Sequence, residues 1–396
     1  MSSTSSPASV AVVDLVIVGG GPAGHSAAQA YRKEGGEGRV LIISADDAAP
    51  YNRPPLSKDL LRGESSEADL PLEPAGFYPD NGIELWLADA VGALSVSTST
   101  LRTRSGRTVG FRRCVLATGC TPAVLPVSGA DHPDVLRLRS LADSRVLRDV
   151  AARAGNAVVI GSGFIGCEAA VSLAKRGLDV TMLSTEQLPQ LERLGRAAAE
   201  RIAGWLADAG VKLRAGVTVE AIDDGRLVRT DDGAFEADLV LSAAGVTPNS
   251  ELAGASGIEL RDGRILVDER MRSSVPGFFA AGDVVLAHNA SAGRRLKVEH
   301  WGEALRMGEI AGANAAGGNE SWDEVPGFWS GIGGRTLKYT AWGDGFDRDV
   351  LVERQGSGFA VWYSQAGRTV GVLTHDADDD YERGSELIAG GMPPPV

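Results

Sequence analysis

Apolar positions in this chain gather into short runs of buried-strand length, each closed by a glycine, a serine or an acid. Residues 12–18 (VVDLVIV) are followed by GGGPAG and then by the helix-compatible AGHSAAQAYRKE. Residues 157–160 (AVVI) are followed by GSGFIG and then by CEAAVSLAKRG. This pattern predicts strand, tight turn and helix, twice over. RVLII (39–43) and DVTML (179–183) predict the strand that follows each helix, while CVLATG (114–119) and PGFFAAGD (276–283) predict two further strands ending in glycine turns.

The glycine spacing gives these turns a chemistry. Gly19 permits the tight turn, Gly21 lets a pyrophosphate approach the backbone, and Gly24 lets helix and strand pack closely. The phosphate would sit on the helix N-terminus, where free amides and the dipole favour negative charge. Asp46 lies 22 residues past Gly24, where an acid accepts from adenosine ribose hydroxyls, with Asp47 as the adjacent competitor. Gly161, Gly163 and Gly166 repeat the fingerprint, so two dinucleotides are expected. The strand after the second helix ends in Ser184, where an NAD-selective site usually carries an acid; either Glu186 substitutes, or the site does not exclude NADPH. No arginine follows to grip a 2'-phosphate, so neither nucleotide is specified. Asp283, just past an apolar strand, suits either a sugar-alcohol hydroxyl or the cap of a following helix.

Length and composition narrow the class. A chain of 396 residues predicts two or three domains. With 43% hydrophobic and 23% charged residues it has globular composition, and no run approaches the roughly 18 apolar residues of a membrane span. The small polar start, MSSTSSPAS, reads as a disordered tail without the features of a secretory signal. A net charge of -13 argues against a general nucleic-acid or anionic-membrane partner. Cys114, Cys120 and Cys167 lack dithiol or zinc spacing, so no metal is expected, and a reducing cytoplasm fits them. Glycine, at 51 residues, is almost twice its usual share of about 7%, partly because of the two fingerprints.

In order along the chain stand GGGPAG, RPPLSK, ATG, GSGFIGCE, AAGVTPN, AAGD, VEHW and FWS. This ordered set, over about residues 12–345, resembles the FAD-dependent NAD(P)H:ferredoxin reductases of the oxygenase-coupled type, which are similar to rubredoxin reductase, putidaredoxin reductase and apoptosis-inducing factor. The resemblance implies an α/β, glutathione-reductase-like flavoprotein with two dinucleotide-binding domains. The FAD domain would comprise 1–120 and 250–320, an NAD(P) domain 121–249, and a C-terminal α+β interface domain 325–396. It also implies that Gly19, Gly21, Ala23, Gly24, Asp46, Arg53, Lys58, Val91, Thr118, Gly119, Arg139, Asp283, His300 and Trp301 serve FAD. Gly161, Gly163, Ile165, Gly166, Glu168, Ser184, Gly245 and Glu299 would serve NADH or NADPH.

Flavin chemistry needs no protein nucleophile, since the cofactor accepts hydride and the protein supplies position and charge. The resemblance places Lys58 beside the flavin, paired with Glu168, and Trp329 at the nicotinamide. It implies hydride uptake from NAD(P)H and single-electron transfer to a ferredoxin serving a cytochrome P450 or ring-hydroxylating oxygenase. A redox-responsive binding protein like apoptosis-inducing factor and an NADH oxidase are the alternatives. RRLK (294–297), Arg335 and Lys338 are candidates for a basic docking face. His300 is not expected to be catalytic, and Cys120 and Cys167 read as packing residues. Thiol-using relatives of this fold keep cysteine where this chain has RPPLSK, so thiol catalysis is excluded. The chain departs from the family pattern at Gly331-Ile332, where an acid commonly follows FWS, at Thr121–Ala123, and at Ser184.

Overall fold

The computed structural model describes residues 11–396, so the expected tail, residues 1–9, lies outside the described residues. The chain divides into two compact units. The first comprises residues up to 51, 71–120 and 248–323; the second comprises 52–70, 121–247 and 324–396.

In the first unit the central strand Val12–Val18 runs parallel to Val40–Ile43 on one side and to Thr108–Leu116 on the other, pairing Val16 with Leu41 and Cys114. Ile83–Trp86 extends the sheet beyond Val40–Ile43, and Phe278–Ala280 joins parallel to Thr108–Leu116. Leu15, Val16 and Ile17 are fully buried, as expected of a strand covered on both faces. A four-stranded sheet of Leu260–Arg261, Arg264–Val267, Val285–Asn289 and Arg294–Leu296 completes the unit.

Helix Pro22–Lys33 packs on helix Trp301–Ala316 without intervening side chains. A Cβ at Gly308 would overlap the backbone of Ala23, and one at Gly312 the backbone of Ala27. Direct backbone contact thus holds the helix that follows the first glycine turn. Beside it the buried ring of His25 has Tyr78 Oη 3.1 Å from Nδ1 and Glu73 Oε1 3.5 Å from Nε2. Burial lowers its pKa to about 4.

The second unit contains a five-stranded parallel sheet in the order Lys212–Ala215, Asp179–Ser184, Asn156–Ile160, Leu239–Ser242, Val135–Leu136. A second five-stranded sheet is antiparallel, in the order Gly327–Ile332, Arg335–Ala341, Arg368–His375, Phe359–Gln365, Arg348–Glu353, and helix Asp378–Ala389 accompanies it. Residues of both share one core: Val159, Val171, Met182 and Ile202 join Ile332, Leu337, Phe359 and Leu373. Leu61, from the segment 52–70, enters the same core. That shared burial groups 52–70 and 324–396 with the second glycine turn.

Among the described residues, no helix is long and apolar enough to cross a membrane, and no cluster of three or more His, Cys, Asp or Glu could hold a metal ion.

Gly308→Ala should lower stability by about 1–3 kcal/mol through overpacking against Ala23, read as a fall in thermal midpoint. A similar substitution at Gly302, where a Cβ would meet nothing within 4 Å, should cost little.

Candidate functional site

Both glycine turns have the form a dinucleotide requires. Gly19 and Gly161 have φ of 120° and 108°, a region natural to glycine, and a Cβ on either would strike the carbonyl of Ala117 or Ala243. A Cβ on Gly24 would strike the carbonyl of Gly19, and one on Gly166 that of Gly161. Gly21 and Gly163 are the N-caps of helices Pro22–Lys33 and Phe164–Lys175, and neither helix start has a side-chain cap. The leading amides are therefore left to an anion, which fits a pyrophosphate at each turn.

The strand after each helix ends in the same device. The Asp46 N–H donates to Ser44 Oγ at 3.1 Å, and the Glu186 N–H donates to Ser184 Oγ at 3.1 Å. Ser44 lies against Gly20, where a Cβ would come within 2.7 Å of its Oγ. At the second turn a hydroxyl fills that gap, Ser162 Oγ lying 2.7 Å from Ser184 Oγ. Glu186 is thus the structural counterpart of Asp46, and Ser184 the counterpart of Ser44. Asp46 accepts from Tyr51 Oη at 2.7 Å, and Glu186 accepts from the Glu192 N–H at 3.1 Å.

The residues expected to serve FAD are divided between the units: Arg53, Lys58 and Arg139 belong to the second, and the others to the first. In the first unit, Thr118 Oγ1 donates to the Asn249 carbonyl at 2.7 Å, and Asn249 Nδ2 returns a bond to the Thr118 carbonyl at 2.9 Å, bracing the turn at Gly119. Asp283 is buried, and the element that follows it is strand Val285–Asn289 rather than a helix. Gly282 packs on Ala23 and Ala304. Val91 is half-buried in strand Val91–Ser95, and His300 is the N-cap of the helix that starts at Trp301. Glu299 pairs with Arg264.

In the second unit, Lys58, Glu168 and Trp329 come together. Glu168, 3% exposed, lies in the first half of helix Phe164–Lys175. Lys58 Nζ stands 2.9 Å from its Oε2 and 5.0 Å from the centre of the Trp329 ring. Ser57 Oγ donates to Oε2 at 2.6 Å, Ser330 Oγ to Oε1 at 2.6 Å, and the Gly331 N–H to Oε1 at 3.2 Å. Four donors from two distant segments thus satisfy one buried carboxylate, the condition under which burying its charge is tolerable. Ser172 Oγ binds the Ser57 carbonyl and Arg176 Nη1 the Leu61 carbonyl, holding RPPLSK to the same helix. Lys58 is only 12% exposed, not the solvent-facing lysine its helix-start position permits.

Trp329 is 52% exposed, whereas its neighbour Phe328 packs edge-on against Phe164 with ring centres 4.8 Å apart. Gly331 leaves room for the lysine stem: a Cβ there would lie 3.3 Å from Lys58 Cδ and Cε. Ile165 is exposed at the second turn, and Gly245 has φ of 98° with open space where a Cβ would point. Arg139 donates its N–H to the Asp143 carboxylate before helix Leu141–Ala151. Ser57, Ser330, Ser162 and Arg264 escaped the sequence reading. Ser57 and Ser330 adjoin motif residues, but nothing in spacing says that their hydroxyls turn toward Glu168.

All three cysteines are buried and none is in a disulfide. Burial raises the pKa of Cys114 and Cys167, and Cys120 Sγ donates to the Asp283 carbonyl at 3.4 Å. Neither Cys114 nor Cys167 is an activated thiolate.

Leaving Lys58 without its counter-charge should be costly. Glu168→Leu should destabilise by about 3–5 kcal/mol, and Lys58→Met by less, since two hydroxyls and an amide still serve the carboxylate. In chemical denaturation the double variant should be more stable than Glu168→Leu alone; simple additivity would contradict the pairing.

Residues 13–308 match the family model for pyridine nucleotide-disulphide oxidoreductases. The chain is 32% identical to the benzene 1,2-dioxygenase system ferredoxin–NAD(+) reductase subunit of Pseudomonas putida, over 94% of this chain and 92% of that protein. It is 30% identical to rhodocoxin reductase of Rhodococcus erythropolis, over 96% and 90%. Among solved structures, the covalent putidaredoxin reductase–putidaredoxin complex matches with a TM-score of 0.89 and 30% identity, covering 96% of this chain and 94% of that one. The chain therefore belongs to the pyridine nucleotide-disulphide oxidoreductase family.

Proposed function

We propose that this protein is an FAD-dependent NAD(P)H:ferredoxin reductase serving an oxygenase. The observation that carries the reading is the buried Lys58–Glu168 pair, set on the helix of the second glycine turn in a chain whose cysteines form no redox pair. The names of the relatives support it: they are reductases of a dioxygenase system and of rhodocoxin, and one structural neighbour was trapped with putidaredoxin.

FAD, when bound, supplies the hydride acceptor and the conversion to single electrons. The helix start at Gly21 and Gly24 would offer amides for its pyrophosphate, while Gly19, whose own N–H donates to the Ile43 carbonyl, forms the turn; Asp46 would offer the ribose acceptor and Asp283 the acceptor for its sugar-alcohol chain. The helix start at Gly163 and Gly166 would offer the same to the nicotinamide nucleotide, the Gly161 N–H being held by the Leu183 carbonyl. Lys58 would supply positive charge beside the ring, Glu168 holds that lysine in place, and Trp329 would offer an exposed aromatic face to the nicotinamide. The ferredoxin docks through Arg295 and Lys297, exposed cations with no acid partner among the described residues. Arg335 and Lys338 are instead engaged by Asp208 and Asp378.

NADH is the preferred donor on this reading. Glu186 stands where Asp46 stands in the other turn, and a carboxylate there accepts from ribose hydroxyls while repelling a 2'-phosphate.

Anaerobic stopped-flow mixing should show rapid flavin bleaching by NADH, and an added [2Fe-2S] ferredoxin should speed cytochrome c reduction. Rapid bleaching with no ferredoxin effect would defeat the partner assignment. Slow bleaching with a persistent long-wavelength band would favour a redox sensor. Lys58→Met should slow bleaching by roughly 10²-fold while FAD stays bound; an unchanged rate would remove Lys58 from the mechanism.

Wild-type protein should be reduced faster by NADH than by NADPH, and Glu186→Gln should narrow that preference roughly tenfold. Equal rates with both nucleotides in the wild type would show that Glu186 does not discriminate.

A further inference from the structure

We propose that Arg264 is a positioning residue of the flavin site, an arginine that ties together two turns whose motifs do not include it. The inference rests on the flavoprotein reading above. Arg264 opens strand Arg264–Val267 in the first unit and is 6% exposed. Its Nη1 donates to the backbone carbonyl of Asp283, in the turn AAGD, and its Nη2 pairs with the carboxylate of Glu299, in the turn VEHW. One guanidinium thus bridges the turn that presents the Asp283 carboxylate and the turn that begins helix Trp301–Ala316.

Structural economy alone does not account for this choice. A buried guanidinium is costly to desolvate, and an apolar side chain of similar volume commonly serves stability as well or better. What the planar fork adds is direction: two donors with a fixed mutual angle set the spacing between a carbonyl and a carboxylate. Cys120 Sγ donates to the same Asp283 carbonyl, so that carbonyl is constrained from two sides while its side chain belongs to the adjoining site. Glu299 acts here as the counter-charge of Arg264. The pair also sets the local field: removing the cation leaves net negative charge beside the flavin, and removing the anion leaves net positive charge.

The test compares Arg264→Met, Arg264→Lys and Glu299→Gln in the full chain purified with its FAD, reading the FAD release rate and the flavin midpoint potential. Arg264→Met should speed FAD release at least tenfold and shift the potential negative, with partial recovery in Arg264→Lys, which keeps the charge but loses the fork. Glu299→Gln, which keeps the volume, should shift the potential in the opposite direction, and it decides the matter if Arg264→Met does not fold. Potentials and release rates equal to wild type, with only the thermal midpoint lowered, would reduce Arg264 to a structural role. Wild-type protein that takes up no FAD would overturn the flavoprotein reading together with this one, whereas FAD-replete variants of unaltered potential would overturn this one alone.

Discussion

A buried carboxylate has to be satisfied completely, and in the second unit much follows from that requirement at Glu168. Its donors are Lys58 and Ser57 from one segment and Ser330 with the Gly331 amide from another, the latter the edge strand of the antiparallel sheet. The stiff proline segment, the helix of the second glycine turn and the C-terminal sheet are therefore fixed to one another by a single side chain. Substituting any one donor leaves the buried carboxylate with three of its four partners. The shared core of Leu61, Val171 and Ile332 then adds apolar burial around that polar centre.

The two glycine turns show how one solution is built twice with different residues. In each, a serine at the end of the second strand accepts the N–H of an acid two residues on. The space above it is left by Gly20 in one case and filled by the Ser162 hydroxyl in the other. This explains why Ser184 stands where an acid was looked for: the hydroxyl shapes the turn, and the acid is presented two residues later. Linear comparison with a motif counts positions, while the turn counts hydrogen bonds.

Much of the fold was legible because its signals are local. Continuous apolar runs placed Val12–Val18 and Asn156–Ile160, and glycine spacing marked the positive-φ turns after them. The Lys58–Glu168 pair was legible from the family resemblance, though not from spacing, since 110 positions separate its members in the sequence. Ser57, Ser330 and Arg264 were not legible, because a side chain's direction depends on packing around it. The affiliation of residues 52–70 escaped for the same reason: their position between two first-unit segments says nothing of the Ser172 and Arg176 bonds that hold them elsewhere.

The three separate, buried cysteines have a consequence for capacity. A flavoprotein of this fold with a redox-active dithiol can hold two electron pairs, one on the ring and one in the sulfur bond. With no such bond available, this chain has room for a single pair. Each hydride must therefore leave as two separate electrons before another can be accepted, which ties nucleotide consumption to the supply of oxidised carrier. The protein works as a splitter with no reservoir, and its resting state reports directly on the balance between donor and acceptor.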